Sequence, residues 1–139
     1  MKSAIALLLG LVLPAIAADP SAPAGGDAVA ESRRLSEAAF EEYHRANDLE
    51  EGFATSYDGA IELAERAITL DPRNADAHYA LFLNLGRKSE RTGIVAQARN
   101  MRRLRNVLET TLELDPRHAH AWEAMGEMHM RLPRLMGGS

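Results

Sequence analysis

The chain contains no cysteine. That one absence excludes a disulfide framework, a thiol nucleophile and a lipid attached to a cysteine at a cleavage site. Aromatic residues make up 5% of the 139 positions. The core must therefore be filled by Ala, Leu and Met, which suits thin antiparallel helices better than a sandwich or a barrel. Strand signals are nearly absent. The chain has no His-Glu-x-x-His run and no Gly-x-Ser-x-Gly turn, and Gly137-Gly138 precedes no helix within it, so the usual signatures of metallohydrolases, serine hydrolases and phosphate loops are missing. Of the five histidines, His118 and His120 form a His-x-His pair beside Asp115. Residues two apart at a helix start point in different directions, and no ligand cluster follows, so they read as capping or surface residues. No catalytic residue, metal site or cofactor is expected.

Long apolar runs are scarce too. The longest, Ala4 to Leu13, is ten residues, short of the roughly 20 needed for a helix to cross a bilayer. Lys2 precedes it, and Pro14 and Ala15-Ile16-Ala17 follow, so residues 1–18 read as a signal peptide cleaved after Ala17 or Ala18. The expected location is periplasmic or secreted, without stable membrane insertion. Residues 19–27, with two prolines and two glycines, form a spacer. A helical domain over 28–136 and a tail at 137–139 complete the division.

What the sequence does have is a phrase that occurs twice, at 67–79 and 111–123, each copy containing Asp-Pro-Arg-x-Ala-x-Ala. Self-similarity of this kind marks helices that bury their apolar faces by stacking unit on unit. Proline cannot extend a helix, so Pro72 and Pro116 each stop one. Asn74 is a good cap for the helix that starts next, and His118 a poorer one. Ala60, Ala64 and Ala67 form a stripe of small residues, spaced four then three, where two helices can approach closely. Hydrophobic periodicity predicts helices over 28–49, 57–70, 75–89, 94–114 and 119–131. Breaks are expected at Gly52 to Ser56 and at Leu132 to Leu135.

These residues resemble the tetratricopeptide repeat, whose first helix carries Trp-x2-Leu-Gly-x2-Tyr and whose second carries Ala-x3-Phe, then Pro. Trp122, Met125, Gly126 and His129 occupy the first set of slots in the last repeat, with His129 expected to pack with its polar tip outward. His78, Leu81, Phe82 and Leu85 occupy them in the copy before, where bulky Phe82 in a small-residue slot implies a looser hairpin. The second-helix slots hold Ala60, Ala64, Ala67 and Pro72, then Leu104, Leu108, Thr111 and Pro116. The two Asp-Pro turns lie 44 residues apart, ten more than the usual repeat of about 34, with the surplus between Gly86 and Met101. Together with Leu-Gly-Arg at 85–87, Thr-Gly-Ile at 92–94 and Leu-Pro-x-Leu-x-Gly-Gly at 132–138, this is similar to bacterial relatives of the regulator-of-microtubule-dynamics family. More distantly it is similar to the periplasmic tetratricopeptide component of TRAP transporters. The resemblance implies an all-α short solenoid without enzymatic activity. It also implies that Gly137-Gly138 leads into a second helix, leaving the last repeat incomplete here.

Charge is unevenly placed. From Asp27 to Arg66 eleven acidic residues face four arginines, a balance of -7, whereas Arg87 to Arg105 holds seven basic residues and Glu90, a balance of +6. Arg99, Arg102 and Arg103 read first as a solvated helix face, and secondly as a patch for an anionic partner. Nucleic acid is not expected, because no stacking aromatics interleave with the arginines. An apolar face carrying Trp122, Met125 and Met128 is expected to stay open on the last helix and to bind a partner or a second copy, and the close helix contact is expected at Gly126 or Ala60. The function expected is a noncatalytic exported scaffold that binds a protein or peptide. The alternative is a transporter accessory that binds a small ligand or docks a substrate-binding protein.

Overall fold

In the computed structural model, which describes residues 24–135, Pro72 and Pro116 divide the chain as their chemistry requires. Five α-helices are seen among these residues: α1 Gly26–Asp48, α2 Phe53–Leu70, α3 Ala75–Thr92, α4 Ile94–Leu114 and α5 Ala119–Leu135. No strand occurs among the described residues. α1 and α2 form one antiparallel hairpin and α3 and α4 a second; α3 also packs on α1 and α2, and α5 on α4. The spacer expected at 19–27 gives up Gly26 and Asp27 to α1. The expected signal peptide and Gly137-Gly138 lie outside the described residues.

Both Asp-Pro junctions close in the same way. The Asp71 N–H donates to Ala67 O and the Asp115 N–H to Thr111 O, each at 2.9 Å, ending α2 and α4. The Asp71 carboxylate accepts from the Arg73 N–H at 3.1 Å, and that of Asp115 from the Arg117 N–H at 3.0 Å. Asn74 Oδ1 then caps α3 through the Ala77 N–H at 3.2 Å, and His118 Nδ1 caps α5 through the Ala121 N–H at the same distance. A histidine can accept there only while Nδ1 carries no proton.

The first hairpin is held by its small residues. Ala60, Ala64 and Ala67 are fully buried against α1 and α3, together with Ala39, Ala77 and Ala80. Alanine gives up no side-chain entropy and brings backbones close, so Ser32 Oγ of α1 donates directly to Ala67 O at 2.7 Å. Leu104, Leu108 and Leu112 take over in the second hairpin, and Leu108 is fully buried with Ala121 and Met125 of α5 around it.

The turns are tighter than the sequence suggests. Gly52, at φ +71°, closes a bend that runs from Leu49, so α2 starts at Phe53 where a break to Ser56 was expected. Phe53 is held there by Arg91, whose guanidinium lies 3.9 Å over the ring and donates to Ala46 O at 2.9 Å and Leu49 O at 2.5 Å. Ala46 O also accepts the Leu49 N–H at 3.3 Å, so Arg91 adds a second bond where α1 ends. Gly93, at φ +130°, is the whole connection between α3 and α4. The surplus of the 44-residue spacing is therefore extra helix.

Two further expectations are corrected. α5 runs through Pro133 to Leu135 rather than breaking at Leu132. The proline removes one helical bond, to the carbonyl of His129, an exposed residue where water can take the donor's place. Gly126 is not a close contact: it is exposed, and a Cβ built on it would meet nothing within 4 Å. α4 reaches α5 on the side of Ala121 and Met125 instead. The tight positions are Ala60 and Gly86, where an added Cβ would already touch Leu104 Cδ2 at 3.6 Å.

Candidate binding groove

Because α3 and α5 start from equivalent capped turns, they run side by side, with α4 behind them. Between them lies an open groove of about 380 Å³. Tyr79, Phe82 and Leu83 of α3 give it an apolar floor, with Met101 of α4 and Met128 of α5 on the walls and Tyr43 of α1 at the edge.

Tyr79 is the hub of the floor. Its ring stacks on Phe82 at 6.0 Å between centroids, lies 6.3 Å from Phe40, and packs on the rings of His118 at 4.6 Å and His120 at 6.4 Å. Burial, followed by coupling to the neighbouring Tyr43 hydroxyl and the negative charges of Glu123 and Glu127, pushes its hydroxyl above the ordinary tyrosine range, and it is a donor at physiological pH. Phe82, expected to loosen the hairpin, ties it to α5: it packs with Tyr79 against Leu108, Leu112 and Met125.

The rim is charged and partly self-neutralised. Arg87 pairs with Glu90 at 2.7 Å, an interaction that holds its guanidinium well above the usual arginine range, and its Nε donates to Asn47 Oδ1 at 3.2 Å. Arg131 reaches Glu90 at 3.6 Å and Glu127 at 3.8 Å. Glu123 has the exposed His120 beside it as its one ion-pair partner among the described residues, at 3.3 Å. The groove thus offers apolar anchoring inside and charge-based orientation at its edge. No group of three or more His, Asp or Glu residues placed to hold a metal ion is found among the described residues, and His118, one member of the His-x-His pair, has its Nδ1 committed to the cap of α5.

The structure separates residues that the sequence placed together. Trp122 is 56% exposed, its Nε1 donating to Pro116 O at 2.9 Å, whereas Met125 is buried against Leu108 and Leu112 and Met128 is half-buried on the groove wall. These three do not make one open face. Met130, 70% exposed, joins Trp122 on the outer side instead. Of the basic candidates, Arg103 pairs with Glu65 of α2, while Arg99 and Arg102 are exposed with no ion pair among the described residues. Of the repeat-packing candidates, Ala60, Ala64, Ala67, Leu104 and Leu108 are buried, Pro72 and Pro116 lie at the junctions between helices, and Gly126 is exposed. The groove residues Tyr43, Tyr79, Arg87, Met101 and Arg131 carried one usable signal, an aromatic or Met on each of α1, α3 and α4, but nothing local joins them.

The regulator of microtubule dynamics protein 1-3 family model matches residues 23–135, which covers all five helices. The chain belongs to this family. No curated protein sequence and no solved structure matches it. Membership does not by itself assign a ligand to the groove. Among the described residues no helix is long and apolar enough to cross a membrane.

Proposed function

We propose that this member of the regulator-of-microtubule-dynamics family is a noncatalytic scaffold of tetratricopeptide character, exported by its N-terminal segment, whose groove between α3 and α5 holds an extended segment of a protein partner. The observation that supports this reading is the combination in one open groove of an aromatic and methionine lining with a charged rim. Such a lining buries one or two apolar side chains of a peptide, while Glu123, Glu127 and Arg131 fix its direction. A volume near the lower end of the small-ligand range, about 300 to 1,000 Å³, also supports a second reading, a transporter accessory that takes a small ligand, as in the TRAP-associated tetratricopeptide proteins. The openness of the groove makes it the weaker of the two.

A photo-crosslinking amino acid at Met128, on the groove wall, and another at Glu62, exposed on α2, test the proposal in cells of the native host. Protein adducts from position 128 and none from position 62 are the expected result. Equal labelling from both would sink it, and protection of position 128 without any protein adduct would point to the small-ligand reading. Recovery of the intact N-terminus in the cytoplasm would overturn the exported location.

A further inference from the structure

The turn from α3 to α4 carries an apolar knob. Gly93 reverses the chain in a single residue, and Ile94 and Val95 directly after it are 62% and 67% exposed. Met101, Leu104, Val107, Leu108 and Leu112 of the same helix are buried or half-buried. Two adjacent β-branched side chains thus stand in water at the turn, while the rest of that helix keeps its large apolar residues against α3 and α5.

Behind the knob the charge is of one sign. No acidic residue lies between Glu90 and Glu109, a stretch that holds five arginines. Three of them are engaged within the fold: Arg91 with the end of α1 and Phe53, Arg103 with Glu65 and Arg105 with Glu109. Arg99 and Arg102 are exposed and have no ion pair among the described residues. They stand four and seven residues after Val95, on the same face of α4. The carboxylate just before the turn, Glu90, is already shared by Arg87 and Arg131. α4 also begins without a side-chain cap or an acidic residue in its first turn, so its own dipole adds to the positive field at this end.

An acidic protein surface would pair with the two arginines but has no use for Ile94 and Val95, whereas a bilayer accepts apolar side chains without a shaped pocket. The spacing fits a bilayer as well. At the helical rise, Arg99 and Arg102 sit about 6 and 10 Å behind Val95 along the axis. An interfacial helix sinks its apolar residues roughly 5 to 10 Å into the headgroup boundary, so a tip-first approach brings both guanidiniums level with the phosphates. Gln97 and Met101 line the groove between α3 and α5, and Val95, Arg99 and Arg102 do not, so such docking leaves the groove free. We propose that the α3–α4 turn docks the protein on an anionic lipid bilayer, with Ile94 and Val95 entering the headgroup boundary and Arg99 and Arg102 on lipid phosphates.

Because the chain has no cysteine, Thr92→Cys gives one attachment point for an environment-sensitive fluorophore beside the knob, and Glu62→Cys gives one on α2, both at exposed positions. The full chain, labelled either way, is titrated with phosphatidylcholine vesicles with and without phosphatidylglycerol. A blue shift and quenching by a lipid-borne quencher are expected at position 92 and not at 62. Binding should be about tenfold tighter when phosphatidylglycerol is present, and that preference should vanish at high salt. Val95→Glu should abolish the blue shift, and Arg99→Gln with Arg102→Gln should weaken binding about tenfold, both with an unchanged melting temperature. The probe at 92 separates the knob from residues 1–23, whose own attachment to vesicles would leave that probe in water. The proposal is overturned if the probe at 92 stays in water, if position 62 responds equally, or if phosphatidylcholine alone binds as well. Tighter binding to polyglutamate than to the vesicles would also overturn it and make an acidic protein the occupant.

Discussion

At the first Asp-Pro junction Asn74 reaches back to Ser32 and Ser36 of α1, at 2.9 and 3.4 Å; at the second, His118 reaches back to Asp76 at 3.5 Å and stacks on Tyr79, both on α3. Asn74 and His118 are 44 residues apart, and so are Ser32 and Asp76. The repeat thus preserves where the cap touches the preceding helix while changing the chemistry of the touch. In the first junction that chemistry is neutral and closely packed; in the second it is ionisable and half-open. The same contrast runs through the hairpins, where Ala60, Ala64 and Ala67 correspond by the same shift to Leu104, Leu108 and Thr111. One backbone plan therefore tolerates either a close alanine seam or a wider leucine one, provided each is matched by its neighbours.

Exchanging the two seams should break the molecule most severely. Leu108→Ala leaves a cavity beneath α5 and should cost about 3 kcal/mol, and Ala64→Leu forces α2 off α1 at about the same or greater cost; urea titration followed by circular dichroism measures both. Asn74→Ala removes the cap and the bonds to Ser32 and Ser36, a loss of about 2 kcal/mol. His118→Ala should lose about 1 kcal/mol, because its contacts are more exposed, and equal losses at the two sites would erase the contrast between the junctions.

The alkaline limb of the stability curve sharpens that contrast. The folded pKa of Tyr79 is raised, so its contribution is fully present below the unfolded value of about 10 and is lost as pH rises from there through the folded value. The matching residue of the first hairpin is Leu35, which does not titrate. Tyr79→Phe should accordingly flatten the fall in stability above about pH 10; an unchanged limb would mean that the Tyr79 hydroxyl is solvated. Arg103→Ala, which removes an exposed pair to Glu65, should have the smallest effect, under about 0.5 kcal/mol.

What could be read from the sequence was what is decided locally. Asp71-Pro72, Asn74 and the alanine stripe act through their own turn of helix, and they placed the junctions and the seam correctly. Gly93 was harder, because a single residue of positive φ can replace a loop only when the flanking helices are held, and the short bend ending at Gly52 likewise depends on Arg91 holding Phe53. Met125, Gly126 and Met128 were misassigned for a different reason. Their exposure depends on which side α4 passes α5, and apolar spacing alone gives two answers. The groove was not legible at all, since Tyr43, Tyr79, Met101 and Met128 come from four helices and converge only when those helices pack.

Arg91 bears on how the molecule comes apart. Stacked repeats can in principle melt one unit at a time, each hairpin contributing its own stability and a term for its neighbour. Here the last carbonyls of α1 and the first ring of α2 are held by a side chain belonging to α3, so the turn of the first hairpin is not complete until the second is in place. The hydrogen-bonded amides at the end of α1, up to Leu49, should then exchange with solvent at the rate of global opening rather than by local fraying. One arginine at the far end of the second hairpin thereby merges two repeats into a single cooperative unit.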